Sequence, residues 1–165
     1  MLGPSQLPYR PCVGIALFNQ NGEIFVGKRA RVSGSHAWQM PQGGIDTGEE
    51  PYDAAIRELA EETGVRSVEK LGQIDEWLCY DLPEQKQGKA FKGRYRGQAQ
   101  RWFAFKFVGE QTEIELDAHD KPEFSEWKWV TLAETPSLVV PFKKQVYLAV
   151  VTAFAPLAKR AARPK

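Results

Sequence analysis

The most constraining feature of this sequence is a glycine-rich segment that runs directly into an acidic, helix-forming segment. Residues 39–49 contain three glycines, and residues 46–62 carry seven acidic residues against one arginine. Pro51 suits a first helical turn and Gly64 suits a helix end, so a helix is predicted from about Pro51 to Thr63. Its apolar residues recur at helical spacing and form one stripe: Tyr52, Ala55, Ile56, Leu59 and Thr63.

Three carboxylates of this helix converge beside the apolar stripe. Glu58 lies three residues before Glu61 and four before Glu62, and like charges at that spacing cost a few tenths of a kcal/mol per pair. A bound cation would remove the repulsion. Because only oxygen ligands are offered, Mg²⁺ or Mn²⁺ fits better than zinc and points to phosphoryl chemistry. The alternative is an ordinary solvated acidic helix face.

Size and composition indicate one globular domain in a reducing compartment. The chain has 165 residues, 42% of them hydrophobic, which suits a single domain over 1–165 with a core at about 8–155 and a frayed basic tail at 156–165. Two distant cysteines give no disulfide framework, and no run approaches the roughly 20 apolar residues of a membrane span. We therefore expect a cytoplasmic protein, and the oligomeric state is open, with a monomer favoured. The net charge of +1 disfavours bulk binding to nucleic acid or to a membrane surface, and no DNA partner is predicted.

The remaining elements predict an α/β fold with a mixed sheet covered on both faces. Asn21-Gly22 is a hairpin turn signal between strands at Val13–Phe18 and Glu23–Arg29. Further strands are predicted at Gln73–Asp81, Gln100–Val108 and Glu126–Thr131. A second helix is predicted at Lys143–Ala155, with one apolar face: Val146, Ala149, Val150, Ala153 and Phe154.

The glycine-rich segment and its helix together resemble the Nudix box. Nine residues fill every specified position of that 23-residue pattern: Gly43, Glu49, Arg57, Glu58, Leu59, Glu61, Glu62, Gly64 and Val65. A pattern with so many specified positions is far more specific than a lone glycine-rich loop. The resemblance implies a single-domain Nudix fold, an α/β/α sandwich, and hydrolysis of a phosphoanhydride bond. It further implies that Glu58, Glu61 and Glu62 bind Mg²⁺ or Mn²⁺, that the Gly43 carbonyl is a further ligand, and that Arg57 orients the helix through Glu49.

Segments outside the box are similar to two overlapping groups of the family, over roughly residues 8–155. These groups are the bacterial RNA pyrophosphohydrolases and the asymmetric diadenosine tetraphosphate hydrolases, and no motif separates them. The resemblance implies as substrate 5′-triphosphate RNA, a dinucleoside polyphosphate, or both. The segments are Tyr9–Gly14, Trp38–Gly44, Trp77–Pro83, Gly97–Phe103, Pro122–Phe124 with Trp127–Trp129, and Pro141–Lys144.

A basic, glycine-containing segment supports a long polyphosphate substrate. Residues 85–101 hold six basic residues and no acidic one, which predicts a mobile loop that could close over phosphates. The substrate-binding candidates in this segment are Lys89, Arg94 and Arg96, and the alternative is a merely solvated loop. Outside the segment, similarity to the same groups adds Arg29 as a phosphate contact and the pair Phe142 and Lys143 as base-stacking residues, and Tyr80 is a further substrate candidate. The alternative for Arg29 is an exposed arginine at a strand end. For Phe142 and Lys143 it is packing at the start of a helix, and for Tyr80 it is a tyrosine of the core.

Glu123 is the candidate for a metal contact or for the base that activates water. Its position in Pro122–Phe124 carries that role by resemblance, whereas composition alone makes it one acid among seven in residues 110–126. Three other functions compete with this one. They are dinucleotide hydrolysis with no RNA role, a Nudix regulator without catalysis, and a housekeeping Nudix enzyme that acts on free nucleotides or sugar nucleotides. Fold analogy by itself does not choose among them.

Overall fold

The computed structural model describes residues 6–83, 86, 93–117 and 120–163. Within them lie seven strands and three α-helices, linked by short 3₁₀ turns. The helices are α1 (Pro51–Thr63), α2 (Thr135–Leu138) and α3 (Lys144–Ala161). The strands are β1 (Tyr9–Phe18), β2 (Ile24–Arg29), β3 (Trp38–Gln39), β4 (Gln42–Gly44), β5 (Val68–Asp81), β6 (Gly97–Phe107) and β7 (Phe124–Val130).

The strands form one mixed sheet whose centre is a parallel pair. The main strand order is β3-β2-β1-β6-β5, with β4 paired to β1 and β7 paired to β2. β1 and β6 run parallel, whereas each of the other pairs is antiparallel. The predicted hairpin is confirmed: Phe18 pairs with Ile24 across a turn in which Gly22 has φ of 76°. The pairing of β4 with β1 brings the glycine-rich segment to the sheet.

Each face of the sheet carries its own apolar layer because side chains alternate along a strand. On β1, Ile15 and Leu17 pack in the layer beneath α1, where Leu59 is also buried. Ala16 and Phe18 pack in the layer that holds residues of α3. The predicted α/β/α arrangement with a mixed sheet is therefore confirmed.

Helix α1 has the predicted bounds. Gly64 takes the left-handed conformation, and its N–H donates to the carbonyl of Ala60 at 2.9 Å, which ends the helix. Leu59 and Thr63 of the predicted stripe are buried, while Tyr52 is 40% exposed. At the first turn the Tyr52 ring contacts Phe103 and Phe105 of β6.

Helix α3 differs from the prediction in length and in rotation. It runs through Pro156 to Ala161, which is buried, so a frayed tail beginning at residue 156 is wrong. Gly72 of β5 leaves room for Leu157, and this contact holds the helix to the sheet beyond the proline. Tyr147 is fully buried, and its hydroxyl accepts a hydrogen bond from the Met40 N–H at 2.9 Å. This rotation leaves two residues of the predicted face exposed, Ala149 and Ala153.

Strand β6 begins three residues earlier than predicted. Gly97 pairs with both Tyr9 and Asp81, so residues 97–101 belong to the sheet and not to a mobile loop. Since β6 lies between β1 and β5, ladder hydrogen bonds on both sides hold its backbone. β5 also begins earlier than predicted, and β3 and β4 are elements that the periodicity did not show. Among the described residues, no helix has both the length and the apolar character needed to cross a membrane.

Candidate functional site

The glycine-rich segment presses against the acidic face of α1. β4 pairs with β1 through Gly43↔Val13 and Gly44↔Cys12, which places the Gly43 Cα beside the Glu58 side chain. A Cβ on Gly43 would overlap the Glu58 carboxylate. Glycine at position 43 is therefore a steric requirement, because the backbone must approach the carboxylate closely.

Arg57 ties the loop after β4 to α1. Its Nε and Nη2 atoms donate to Glu49 Oε2 and Oε1, both at 2.9 Å, and Nη2 also donates to the Gly44 carbonyl at 2.9 Å. This bidentate pair is a strong form of ion pair. The hydrogen bonds from Arg57, together with one from the Asp46 N–H, lower the pKa of Glu49 to about 2. The predicted pairing of Arg57 with Glu49 is present in the structure.

The same guanidinium reaches two of the predicted metal ligands. Arg57 Nη1 donates to Glu58 Oε1 at 2.9 Å and to Glu61 Oε2 at 3.3 Å. It thereby offsets part of the repulsion between carboxylates that the spacing implies. Burial nevertheless raises the pKa of Glu58 against the opposing effect of Arg57.

Glu62 is buried and unpaired. The residue is 7% exposed, and neither carboxylate oxygen meets the geometry of a hydrogen bond, although the Gln42 backbone N–H and the Glu58 carboxyl lie beside them. Burial and then the negative charges of Glu58 and Glu123 raise the pKa of Glu62 well above its usual value. A buried carboxylate without a partner is costly unless a cation or a proton neutralises it.

A divalent cation fits this donor set chemically. The orphaned Glu62 oxygens lie in a cavity whose lining includes Gly43, Glu58 and Glu61, and all four residues supply oxygen donors, the ligand type that Mg²⁺ prefers. In residues 6–83, 86, 93–117 and 120–163, no three Asp, Glu, His or Cys side chains converge as a ready-made metal cage. Arg57 instead holds Glu58 and Glu61.

The carboxylates form one side of a cleft of about 840 Å³. Other residues of its lining carry positive charge or amide groups, so acidic and basic groups face the same space. The charged residues of the lining are Arg10, Arg29, Glu58, Glu61, Glu62, Lys86, Asp120, Lys121, Glu123 and Lys143. The uncharged ones are Gln42, Gly43, Gly44, Tyr80, Leu82, Gln98 and Phe142.

Aromatic rings and a buried lysine form another part of the lining. The Tyr80 and Phe142 ring centroids are 5.6 Å apart, and Lys86 Nζ lies 5.2 Å from the Phe142 ring centroid. Lys143 is buried, and its Nζ donates to Gln39 Oε1 at 3.1 Å. Burial, reinforced by the charge of Arg29, lowers the pKa of Lys143 to about 7. A flat, partly exposed ring beside cationic groups suits a nucleobase attached to phosphates.

A chain of amides runs from the sheet interior to the cleft. Trp102 Nε1 donates to Gln100 Oε1 at 3.0 Å, and Gln100 Nε2 donates to Gln98 Oε1 at 2.8 Å and to Gln42 Oε1 at 3.0 Å. Gln98 and Gln42 line the cleft, whereas Gln100 is 1% exposed. The sequence analysis did not single out these glutamines, although the two-residue spacing of Gln98, Gln100 and Trp102 on β6 was a readable signal.

Most of the predicted site residues lie in this cleft, and their individual roles stay predictions. Arg96 does not line it: Nε and Nη2 donate to Asp81 Oδ1 at 3.1 Å and Oδ2 at 2.8 Å, and the guanidinium lies over the Tyr9 ring. Arg94 is exposed and is likewise absent from the lining, and Lys89 is outside the described residues. The predicted residues that line the cleft are Arg29, Gly43, Glu58, Glu61, Glu62, Tyr80, Glu123, Phe142 and Lys143.

Comparison with known proteins agrees with this geometry. The profile of the NUDIX domain matches residues 8–150 of the chain. The chain belongs to the Nudix family. An RNA pyrophosphohydrolase of Azorhizobium caulinodans is 54% identical to this Nudix protein over 157 residues, which cover 90% of this chain and 93% of the relative. The chain is thus a Nudix hydrolase that acts on pyrophosphate bonds, and a regulator without catalysis is set aside.

Solved structures show the same fold at low identity. The dihydroneopterin triphosphate pyrophosphohydrolase of E. coli superposes on this Nudix protein with a TM-score of 0.66 and 17% identity, covering 88% of this chain and 99% of the other. A C. elegans Ap4A hydrolase in a binary complex gives a TM-score of 0.59 and 16% identity, covering 88% and 98%. At such identities the similarity supports the fold alone.

Proposed function

We propose that this Nudix hydrolase removes pyrophosphate from the 5′-triphosphate end of RNA. The observation that carries the proposal is the composition of the cleft, in which the carboxylates of α1 line the same cavity as cationic and aromatic residues. A polyphosphate with a nucleoside at one end needs these three kinds of group. The name of the Azorhizobium caulinodans relative supports RNA as the molecule that carries the triphosphate.

The acidic side of the cleft is the proposed reaction centre. Glu58, Glu61, Glu62 and the Gly43 carbonyl would hold Mg²⁺, with Mn²⁺ as a substitute. The ion would polarise the phosphoryl oxygens and lower the pKa of an attacking water. Arg57 keeps the loop and helix in register through Glu49 and Gly44, so the carboxylates are positioned before substrate enters.

Glu123 is the proposed base or additional ligand. It lines the same cavity, and its negative charge acts on Glu62. Its backbone is fixed because the Glu123 carbonyl accepts a hydrogen bond from the Ala30 N–H at 2.9 Å, next to Arg29. This contact joins the segment before β7 to the end of β2, so a carboxylate and a guanidinium enter the cleft from adjacent backbone.

The opposite side of the cleft is proposed to bind substrate. Arg29 and Lys143 would neutralise phosphate oxygens, and Phe142 would stack on a base with Tyr80 behind it. Lys89, Arg94 and Arg96 remain candidates for substrate binding. A cytoplasmic location and a monomeric state also remain predictions.

The test is a comparison of kcat/KM on 5′-triphosphorylated RNA and on diadenosine tetraphosphate in Mg²⁺, with products resolved. We expect a clear preference for RNA and release of pyrophosphate. A preference for the dinucleotide, with ATP and AMP as products, would replace the proposal by asymmetric dinucleotide hydrolysis. Glu62→Gln serves as the inactive variant, and Glu110→Gln, outside the cleft, is its matched control.

A further inference from the structure

The amide chain that begins at Trp102 has a direction set by chemistry. An indole N–H can only donate a hydrogen bond, so the group of Gln100 that faces Trp102 must be its carbonyl oxygen. The Gln100 NH₂ is then turned to the other side, where both of its protons are used, on Gln98 Oε1 and Gln42 Oε1. Without the indole, the three amides could reverse together and keep the same number of bonds.

This direction determines whether Gln98 and Gln42 present donors or acceptors to the cleft. Because each turns its carbonyl oxygen toward Gln100, each turns its NH₂ away from it, and both residues line the cavity. The Gln42 amide also hydrogen-bonds the Tyr80 hydroxyl, which belongs to the same lining, so Gln42 has one further proton to offer there. An amide NH₂ only donates, and the non-bridging oxygens of a phosphate chain only accept. Reversed amides would instead point carbonyl oxygens at an anionic substrate.

We infer that Gln98 and Gln42 are substrate-binding donors for the polyphosphate, and that Gln100 and Trp102 are positioning residues that fix their orientation. The donors are neutral, so they add directional hydrogen bonds to the attraction supplied by Arg29 and Lys143. Because the ligand is the substrate of the proposed function, the inference rests on that function. It adds four residues to which the sequence analysis assigned no role.

The surrounding structure holds the indole in place. Trp102 pairs with Gly14 in the parallel register of β1 and β6, and a Cβ on Gly14 would overlap the indole ring. The indole also meets the Tyr147 ring edge-on, at 5.7 Å between centroids. Trp102 is fully buried, so its N–H has Gln100 as a partner and no access to bulk water.

A double-mutant cycle separates positioning from general structure. Gln98→Met and Gln100→Met each remove an amide while keeping side-chain length. Losing a hydrogen bond to a charged group predicts a KM about tenfold higher for Gln98→Met. We expect several-fold for Gln100→Met, with kcat nearly unchanged in both variants. Because Gln100 acts in part through Gln98 and in part through Gln42, the double variant should raise KM by less than the product of the two single effects.

Trp102→Phe is the second variant, since it deletes the indole N–H and leaves Gln100 in place. It should raise KM in the wild-type background and have less effect in Gln98→Met. If Gln100→Met fails to fold, this variant completes the cycle. The matched control is Gln111→Met, because Gln111 Oε1 also accepts an indole N–H, from Trp129 at 3.3 Å, outside the cleft. This control should leave KM unchanged.

Two results would overturn the inference. One is a KM of the double variant that equals the product of the two single effects, and the other is a fall in kcat of the variants with no change in KM. The cycle is run on 5′-triphosphorylated RNA and on diadenosine tetraphosphate. If wild-type protein prefers the dinucleotide, the proposed RNA function fails, while the cycle measured on the dinucleotide still decides the role of the glutamines. If wild-type protein hydrolyses RNA and the cycle is multiplicative, the amide inference alone fails.

Discussion

Arg57 holds both carboxylate oxygens of Glu49, with Nε to Oε2 and Nη2 to Oε1 each at 2.9 Å. The same side chain reaches the Gly44 carbonyl on one side and Glu58 on the other. One guanidinium therefore connects β4, the loop that follows it and the acidic face of α1. Its position explains how the loop keeps its shape next to a set of like charges.

The Glu49–Arg57 pair predicts a pH-dependent stability. The pKa of Glu49 in the folded protein is lowered to about 2, below the unfolded value of about 4.3. The stabilisation is therefore complete above the unfolded pKa and is lost as pH falls through the folded pKa. Glu49→Gln should lower the free energy of unfolding at pH 7, and the difference from wild type should shrink between about pH 4.3 and pH 2.

Urea unfolding of both proteins at a series of pH values checks this prediction. Glu50→Gln is the matched control, because the Glu50 side chain makes no capping hydrogen bond at the start of α1. A difference between Glu49→Gln and wild type that stays constant from pH 7 to pH 2 would show that the ion pair is not its origin.

Glu62→Gln should stabilise the metal-free protein and destroy its activity. Both Glu62 oxygens are buried without a partner, so removing the charge should raise the free energy of unfolding in a chelator at neutral pH by about 1–3 kcal/mol. The sign follows from the raised pKa, because burial penalises the ionised form. Loss of a metal ligand should lower kcat by at least about a hundredfold.

Thermal and urea unfolding in EDTA and in Mg²⁺ measure the stability of the metal-free and metal-bound forms of both proteins. Mg²⁺ should stabilise the wild-type protein and have much less effect on Glu62→Gln. Glu61→Gln is a useful comparison, since Glu61 is half-exposed and paired with Arg57, and it should change metal-free stability little. A metal-free Glu62→Gln that is less stable than wild type would contradict the assignment of Glu62 as a strained, unpaired charge.

Gly43→Ala should impair catalysis more than folding. The added Cβ would overlap the Glu58 carboxylate, and a shift of this kind at a reacting group can lower kcat by about a hundredfold. The change is measured by kcat together with the unfolding midpoint. In the control Gly48→Ala the new Cβ meets no atom within 4 Å, so it should keep kcat and lose only about 1 kcal/mol to the strain of its positive φ. Equal kcat in both variants would remove the steric argument.

Phe142→Ala should weaken binding of substrates that carry a base near the reacting phosphate. Loss of one stacking ring predicts a KM about tenfold higher or more, with kcat nearly unchanged. The informative measurement uses paired RNA substrates with and without bases at the first two nucleotides. The variant and wild type should differ on the first substrate and agree on the second. A difference of the same size on both substrates would assign Phe142 to packing against Tyr80.

Local signals made part of this structure readable from the sequence. The spacing of apolar residues, Pro51 and Gly64 determine α1, and Asn21-Gly22 determines the first hairpin, because a helix end or a two-residue turn depends on neighbours in the chain. The pattern from Gly43 to Val65 likewise named the family and the pairing of Arg57 with Glu49. Each of these relations spans at most about two dozen residues.

The tertiary structure decided the rest, because residues distant in sequence interact only after the sheet forms. Lys143 and Gln39 are separated by 104 positions, and Gln100 and Gln42 meet only where β1 joins β6 to β4. Arg96 shows the same limit, since nothing near it in the sequence indicated that folding would pair it with Asp81. The sequence by itself determined the acidic helix and the loop before it. Packing across the two faces of the sheet determined which amides, rings and cations face that helix.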